Sequence, residues 1–279
     1  MLLALAQQSA NADRDSNLQR ALAAMERAKA AGADVIAFPE LAIDLFFPQR
    51  PDDRTAAHCA EPIPGPTADA IAAKARELSL VTVFNMYESD DEERRFDSSP
   101  VFDADGSLLG VTRMVHITDY ACFHEQAYYD PGDRGAPVYR TRAGAIGVAI
   151  CYDRHYPEYM RALGVAGADL VVIPQAGALD EWPEGLFEAE VRTAAFQNGY
   201  FAALCNRVGE EEKLTFAGES FVVNPHGQVV ARGKRLAEDL IVTDLDLGEC
   251  AASVAKTLFW RDRRPELYAS WLGYPVLPR

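Results

Sequence analysis

GAIGVAICYDRHYPE, residues 144–158, is the stretch whose reading decides the fold. Its first half is an apolar run of the length of a buried strand, and Pro157 opens a helix in its second half. Cys151 therefore stands at a strand-to-helix transition, where the N–H groups of a helical turn favour a thiolate. The next backbone N–H, that of Tyr152, is placed to face an oxyanion developing beside the sulfur. Two further segments carry acids that suit a nucleophilic cysteine. ADVIAFPE (33–40) is a short strand pattern ending on Glu40, and RMVHITDYACFHEQAYYDPGD (113–133) is a long, aromatic-rich connection holding Glu125. A glutamate at a neighbouring strand end can take the thiol proton. On residue types alone, a core cysteine and a solvated strand-end glutamate compete with this reading.

The pattern around these segments alternates helices and strands. Helical spacing covers 15–32 and 67–78, a strand is expected over 80–88, a loop over 89–97, and a hairpin turns at Asp105-Gly106. In the second half, strands are expected at 145–150, 169–174 and 200–206 and helices at 157–166 and 184–198, with a hairpin about 225–227. Leu2–Ala6 is expected as a buried first strand. Such alternation predicts one layered α/β domain over 1–279.

Composition narrows the function classes. A net charge of −15 argues against nucleic acid or an anionic membrane surface as a partner. No run approaches the ~18 apolar residues of a membrane helix. The five cysteines (59, 122, 151, 205, 250) are scattered and lack a CxxC pair, which fits reduced thiols in the cytoplasm. No GxGxxG, GxSxG or HExxH occurs, and the histidines lack metal-ligand spacing, so no metal is expected.

FPELAID (38–44), HEQAYYDPGD (124–133) and GVAICYDRHYPE together resemble the nitrilase superfamily of carbon–nitrogen hydrolases. The resemblance extends through YFAALCNRVG (200–209), GESFVVNPHGQVVARG (218–233) and FWRDRRPELY (259–268). It implies a four-layer αββα sandwich, a homodimer or larger oligomer, and hydrolysis of a non-peptide C–N bond without metal or organic cofactor. The substrate it implies is a small amide, carbamoyl compound or nitrile, with CYDRHYPE most similar to the amidase and carbamoylase branches. By the same resemblance Cys151 is the nucleophile that forms a thioester-type intermediate, Glu40 the general base and Glu125 a supporting acid. Arg154 matches an arginine that binds a substrate carboxylate in carbamoyl-amino-acid hydrolases; a local pair with Asp153 or Glu158 is the alternative. Asn206 and Arg207 are expected as supporting structure, and RDRRPELY as part of a subunit interface.

One position departs from the pattern. The family has Arg-Lys-x-His where this chain has Arg113-Met114-Val115-His116, so Met114 occupies the place of a lysine that stabilises the tetrahedral intermediate. The chain's lysines, at 29, 74, 213, 234 and 256, all lie outside this segment. Methionine matches the lysine stem in shape and offers no charge. Three explanations stand open: another donor, a non-catalytic homologue that binds a ligand or partner, or a deliberate Lys→Met change. His116 is the first candidate donor, since two residues along a strand return to the same face; His124 and His155 are the others.

Overall fold

The computed structural model describes residues 1–51 and 54–272. Its strands are β1 (Leu2–Gln7), β2 (Val35–Ala37), β3 (Val81–Val83), β4 (Met86–Ser89), β5 (Arg95–Phe102), β6 (Leu108–Arg113), β7 (Val138–Thr141), β8 (Gly144–Val148), β9 (Leu170–Gln175), β10 (Phe201–Asn206), β11 (Val208–Glu210), β12 (Thr215–Ala217), β13 (Phe221–Val223), β14 (Val229–Arg232) and β15 (Asp239–Asp244). The principal helices are α1 (Arg14–Ala30), α2 (Pro66–Leu78), α3 (Pro157–Val165) and α4 (Leu186–Asn198); α5 (Gly248–Ala252) and α6 (Pro265–Trp271) follow. A seven-stranded sheet runs β15-β1-β2-β3 into β5, with β4 beside β3 on one edge of β5 and β6 on the other. A six-stranded sheet has the order β14-β13-β10-β9-β8-β7.

Period-two alternation stacks these sheets. In β1, Leu3 and Leu5 enter one buried cluster and Ala4 and Ala6 another; in β9, Leu170 and Val172 join the cluster of Leu3, while Val171 and Ile173 face away. The shared cluster is the interface between the two sheets. The second cluster packs Ala21, Met25 and Ala28 of α1 and Ile71 of α2 on the seven-stranded sheet. The third packs Met160 and Leu163 of α3 and Val191 and Ala195 of α4 on the six-stranded one. Helices, sheet, sheet, helices: four layers, as the family resemblance implies.

Two sequence expectations need correction. The run 80–88 is not one strand: it breaks at Phe84–Asn85 into β3 and β4, because both pair with β5 and the buried Asn85 side chain turns to other work. The expected loop 89–97 shortens to 90–94, since β4 runs to Ser89, β5 begins at Arg95 and a tight turn with Asp90 N–H to Arg94 O closes one onto the other. The remaining boundaries shift by one or two residues, within the usual fraying of ends.

The layers bring the carboxyl ends of parallel strands together. β2 and β3 are parallel in one sheet, and β8, β9 and β10 are parallel in the other. The chain leaving β2 reaches Glu40, and the chain leaving β8 reaches Cys151. Arg207, directly after β10 and 2 % exposed, ties the sheets together at this end. Its Nη1 donates to the carbonyls of Glu40 (2.9 Å) and Leu41 (2.6 Å), and its Nη2 to Asp44 O (2.9 Å) and Glu211 Oε1 (2.5 Å). Replacing this group with an apolar one strands several buried carbonyls and the Glu211 carboxylate. Urea unfolding of Arg207→Met is expected to show a loss of about 3–5 kcal/mol; a loss below about 1 kcal/mol, the scale of a surface ion pair, would contradict the bracing role.

Candidate active site

Two strained strand ends face each other where β2 and β8 finish. Leu41 has φ +46° and Cys151 φ +42°, both in the left-handed region that non-glycine residues rarely adopt. Asn85 holds the first: its Oδ1 accepts from Leu41 N–H (2.6 Å), its backbone carbonyl from Ala42 N–H (3.2 Å), and its Nδ2 donates to Asp97 Oδ1 (2.6 Å) and Ser99 Oγ (3.1 Å). Arg154 holds the second, donating from Nη1 to Cys151 O (2.8 Å) and to Gln175 Oε1 (2.7 Å). Cys151 opens a 3-10 turn through His155 whose Asp153 N–H already bonds Ile150 O. The Tyr152 N–H precedes it, in the part of the turn that lacks intrahelical partners.

Glu125 enters from the long connection on a 3-10 turn, where its carbonyl accepts from Tyr128 N–H (2.8 Å) and Tyr129 N–H (2.9 Å). One carboxyl oxygen of Glu40, one of Glu125 and the Sγ of Cys151 lie within 4.8 Å of one another. Both acids are 0 % exposed and the cysteine 5 %. Among the described residues this is the one group of three such side chains close enough to hold a metal ion, and a metal there would sit on the nucleophile. Neither oxygen of either glutamate has a hydrogen-bond partner of good geometry, nor does Asp97 Oδ2 or the Tyr129 hydroxyl.

Burial and mutual repulsion therefore set the protonation. Burial, then the neighbouring Glu125, pushes Glu40 up to about 8, against the opposing pull of the Cys151 thiol, Asp97 and Arg207. Burial raises Glu125 well above the carboxylate range, and Asp97 adds to it; the Thr118 N–H works the other way. Asp97 is likewise raised, by burial and then by Glu40. The Cys151 thiol is pushed up by burial and by both glutamates, while Arg154 and the Ala176 N–H favour its thiolate. The cluster is thus a set of mostly neutral acids around a thiol.

The expected residues fall into two groups. Glu40, Glu125 and Cys151 converge. Met114 is fully buried in the same apolar cluster as Cys151, with its N–H on Asp97 O (2.9 Å). No lysine is buried; the side chains of Lys74, Lys234 and Lys256 meet Glu26, Asp239 and the Trp260 ring, and Lys29 meets Ser79 O. His116 is not on a strand, because β6 stops at Arg113. Its Nδ1 lies 2.7 Å from Asp153 Oδ1 and its ring stacks on Tyr156 at 3.5 Å, so it locks the segment after β6 onto the turn of Cys151. Arg154 pairs with neither Asp153 nor Glu158. Its guanidinium lies over the Phe187 ring, with Nε 3.6 Å from Glu190.

Sequence reasoning missed Asp97, Asn85 and Ala176. The polar FDSS run inside an expected loop carried a faint signal for Asp97: period-two alternation would have put one polar residue of it inward. Asn206 does what was expected of it, bonding Gly177 N–H, Gly177 O and Gly218 O.

With this geometry in hand, comparison with known proteins is direct. The family model described as carbon-nitrogen hydrolase matches residues 2–253. N-carbamoylputrescine amidase of Solanum lycopersicum is 32% identical over 270 residues, covering 92% of this chain and 89% of its own. A carbon-nitrogen hydrolase from Helicobacter pylori G27 superposes with a TM-score of 0.91 at 26% identity, covering 99% of each chain. An amidase mutant from Nesterenkonia sp. AN1, carrying an acetamide moiety covalently on its active-site cysteine, superposes with a TM-score of 0.82 at 28% identity, covering 97% of this chain and 96% of that one. Nothing among these relatives supports the non-catalytic reading. The chain belongs to the carbon-nitrogen hydrolase family, as an amidase/carbamoylase-type enzyme of the nitrilase superfamily.

Proposed function

We propose that this enzyme hydrolyses a small N-carbamoyl amine or linear amide through a Cys151 thioester-type intermediate, with Glu40 as general base. The observation that carries the reading is the convergence of Glu40, Glu125 and a left-handed Cys151 within 4.8 Å. Glu40 takes the thiol proton as sulfur attacks the carbonyl carbon, and the Tyr152 N–H faces the oxygen that becomes negative. Collapse breaks the C–N bond, and the leaving amine takes the proton from Glu40. Water then attacks the thioester carbon, giving its proton to Glu40, and Cys151 leaves as a thiol. With a carbamoyl substrate the released carbamic acid breaks down to carbon dioxide and ammonia.

The surrounding charge supports a substrate whose far end is neutral or cationic. Tyr120, close enough to feel Cys151 and Glu125, donates to Glu181 Oε1 (2.5 Å) and packs with Phe123 and Trp182. Glu181 also accepts from Trp182 Nε1 (3.0 Å) and is half-buried. A carboxylate-bearing tail would meet this acid, and the Nη1 of Arg154 is already engaged by Cys151 O and Gln175 Oε1. The relative that acts on N-carbamoylputrescine, whose tail is an amine, fits this field. Assembly as a homodimer or larger oligomer belongs to the same reading: α6 buries nothing within the chain, and Leu258, Phe259 and Trp271 stand exposed near it. A cytoplasmic location belongs to the same reading, and the five free cysteines support it.

Three outcomes follow from the site. Cys151→Ala should lower kcat/KM for N-carbamoylputrescine by more than about 10⁴-fold, as nucleophile removal does elsewhere; residual activity within tenfold of the parent would exclude Cys151. The free-enzyme rate profile should rise with pH through about 8, where Glu40 loses its proton; a rising limb at an ordinary glutamate value near 4.5 would mean Glu40 is not the base. Stability should run the opposite way. The folded state holds protons on Glu40, Asp97 and Glu125 that the unfolded chain releases at ordinary carboxylate values. Stability from these groups is full below the unfolded values and is lost as pH rises through the folded ones. Melting temperature should therefore fall between about pH 5 and pH 8, and Met114→Lys should flatten that fall by giving the carboxylates a cation. A melting profile in which Met114→Lys changes nothing would place Met114 away from the acids.

A further inference from the structure

Glu125 is the group whose state the mechanism leaves unassigned. It is fully buried, neither oxygen has a hydrogen-bond partner of good geometry, and one oxygen lies within 4.8 Å of both Cys151 Sγ and a Glu40 oxygen. The acids that face it are Glu40, Asp97 from β5, Asp153 from the turn of Cys151 and Glu181 from the loop after β9. Cys151 and the hydroxyls of Tyr120 and Tyr129 complete the titratable groups around it. Among the described residues no cation stands with the largest influences on it, whereas Arg207 acts on Glu40 and Arg154 on Cys151. The residue expected at the lysine position, Met114, adds apolar bulk.

An anion at Glu125 would stand buried among four other acids, and burial and Asp97 outweigh the Thr118 N–H that favours it. A carboxylic acid there holds an O–H with no acceptor in the resting protein, on a carboxyl group with one oxygen within 4.8 Å of the sulfur. The acceptor arrives with the reaction, as the oxyanion of the tetrahedral intermediate. We propose that Glu125 works as a neutral carboxylic acid and donates its O–H hydrogen bond to that oxyanion, supplying with the Tyr152 N–H the donor that Met114 does not. No bond to the proton is broken: Glu125 keeps it through the cycle, while Glu40, with Arg207 behind it, is the acid that ionises. A donor made only to the transition state raises kcat and leaves KM nearly untouched. This assignment rests on the hydrolase reading of the same site.

The test is steady-state hydrolysis of N-carbamoylputrescine from pH 6 to 10 by the parent, E125Q, E125L and M114K/E125L. The parent should show a second, falling limb at high pH where Glu125 loses its proton. E125Q keeps a donor that does not titrate, so it should lose less than about tenfold in kcat, and the falling limb should vanish. E125L should lose about 100- to 1000-fold in kcat with KM little changed. The lysine of M114K/E125L should recover at least tenfold of that loss, which a merely misfolded Leu variant would not allow. The assignment is overturned if E125Q is as damaged as E125L, if E125Q keeps the falling limb, or if E125L costs less than tenfold. Absence of Cys151-dependent turnover in the parent is a different failure, which removes the hydrolase reading and this assignment with it.

Discussion

Two buried arginines hold the backbone on which everything else in this molecule depends. Arg207 grips the carbonyls of Glu40 and Leu41, and Arg154 grips that of Cys151. Leu41 and Cys151 are the two left-handed residues at the strand ends that face each other, a conformation worth on the order of 1–3 kcal/mol of strain apiece. The strain aims one carboxyl and one thiol at the same point. Arginine suits the task because its planar fork can serve several carbonyls at once and stays charged when buried. Its charge has a second effect: Arg207 draws Glu40 toward ionisation and Arg154 draws Cys151 toward thiolate, one cation behind each partner of the proton transfer.

The centre itself holds no such cation. Glu40, Asp97 and Glu125 are all fully buried, and the only side chain at the expected lysine position is Met114. A low-dielectric pocket cannot hold three unpaired carboxylates, so protons take the place of the missing charge. That substitution makes activity and stability pull against each other with pH. The base needs to lose its proton for the thiol to react, while the fold prefers each acid to keep it. On the proposed mechanism it also divides the two glutamates by environment: the one with an arginine behind it serves as the base, and the one ringed by acids keeps its proton as a donor.

Much of this was legible in the sequence. GVAICYDRHYPE announces a buried strand ending on a cysteine, and the alternation in LLALAQ and DLVVIPQ states that both faces of each central sheet are covered. Glu40 and Glu125 were visible from their places in the FPELAID and HEQAYYDPGD segments. What escaped notice depends on tertiary position. Asn85 lies in a stretch that reads as one continuous strand and Asp97 at the end of an expected loop, and only the pairing of β4, β5 and β6 turns Asp97 inward. The strand on which His116 is expected ends at Arg113, and its partner Asp153 is 37 positions away in the chain. Arg154 reads as a carboxylate ligand or a local pair with Asp153 or Glu158, because Gln175 and Glu190, which it meets, lie on other elements.

Covalent chemistry at Cys151 without a lysine is the central claim, and trapping the intermediate tests it most directly. The chain as it stands and its Cys151→Ala variant would be mixed with N-carbamoylputrescine, quenched in acid within milliseconds to seconds, and weighed intact. The account predicts that the parent alone gains the mass of one carbamoyl group on the peptide carrying Cys151, and that the adduct decays as ammonia appears. A parent that binds the substrate but never gains that mass, while Met114→Lys does, would contradict it and show that the buried acids cannot do the lysine's work.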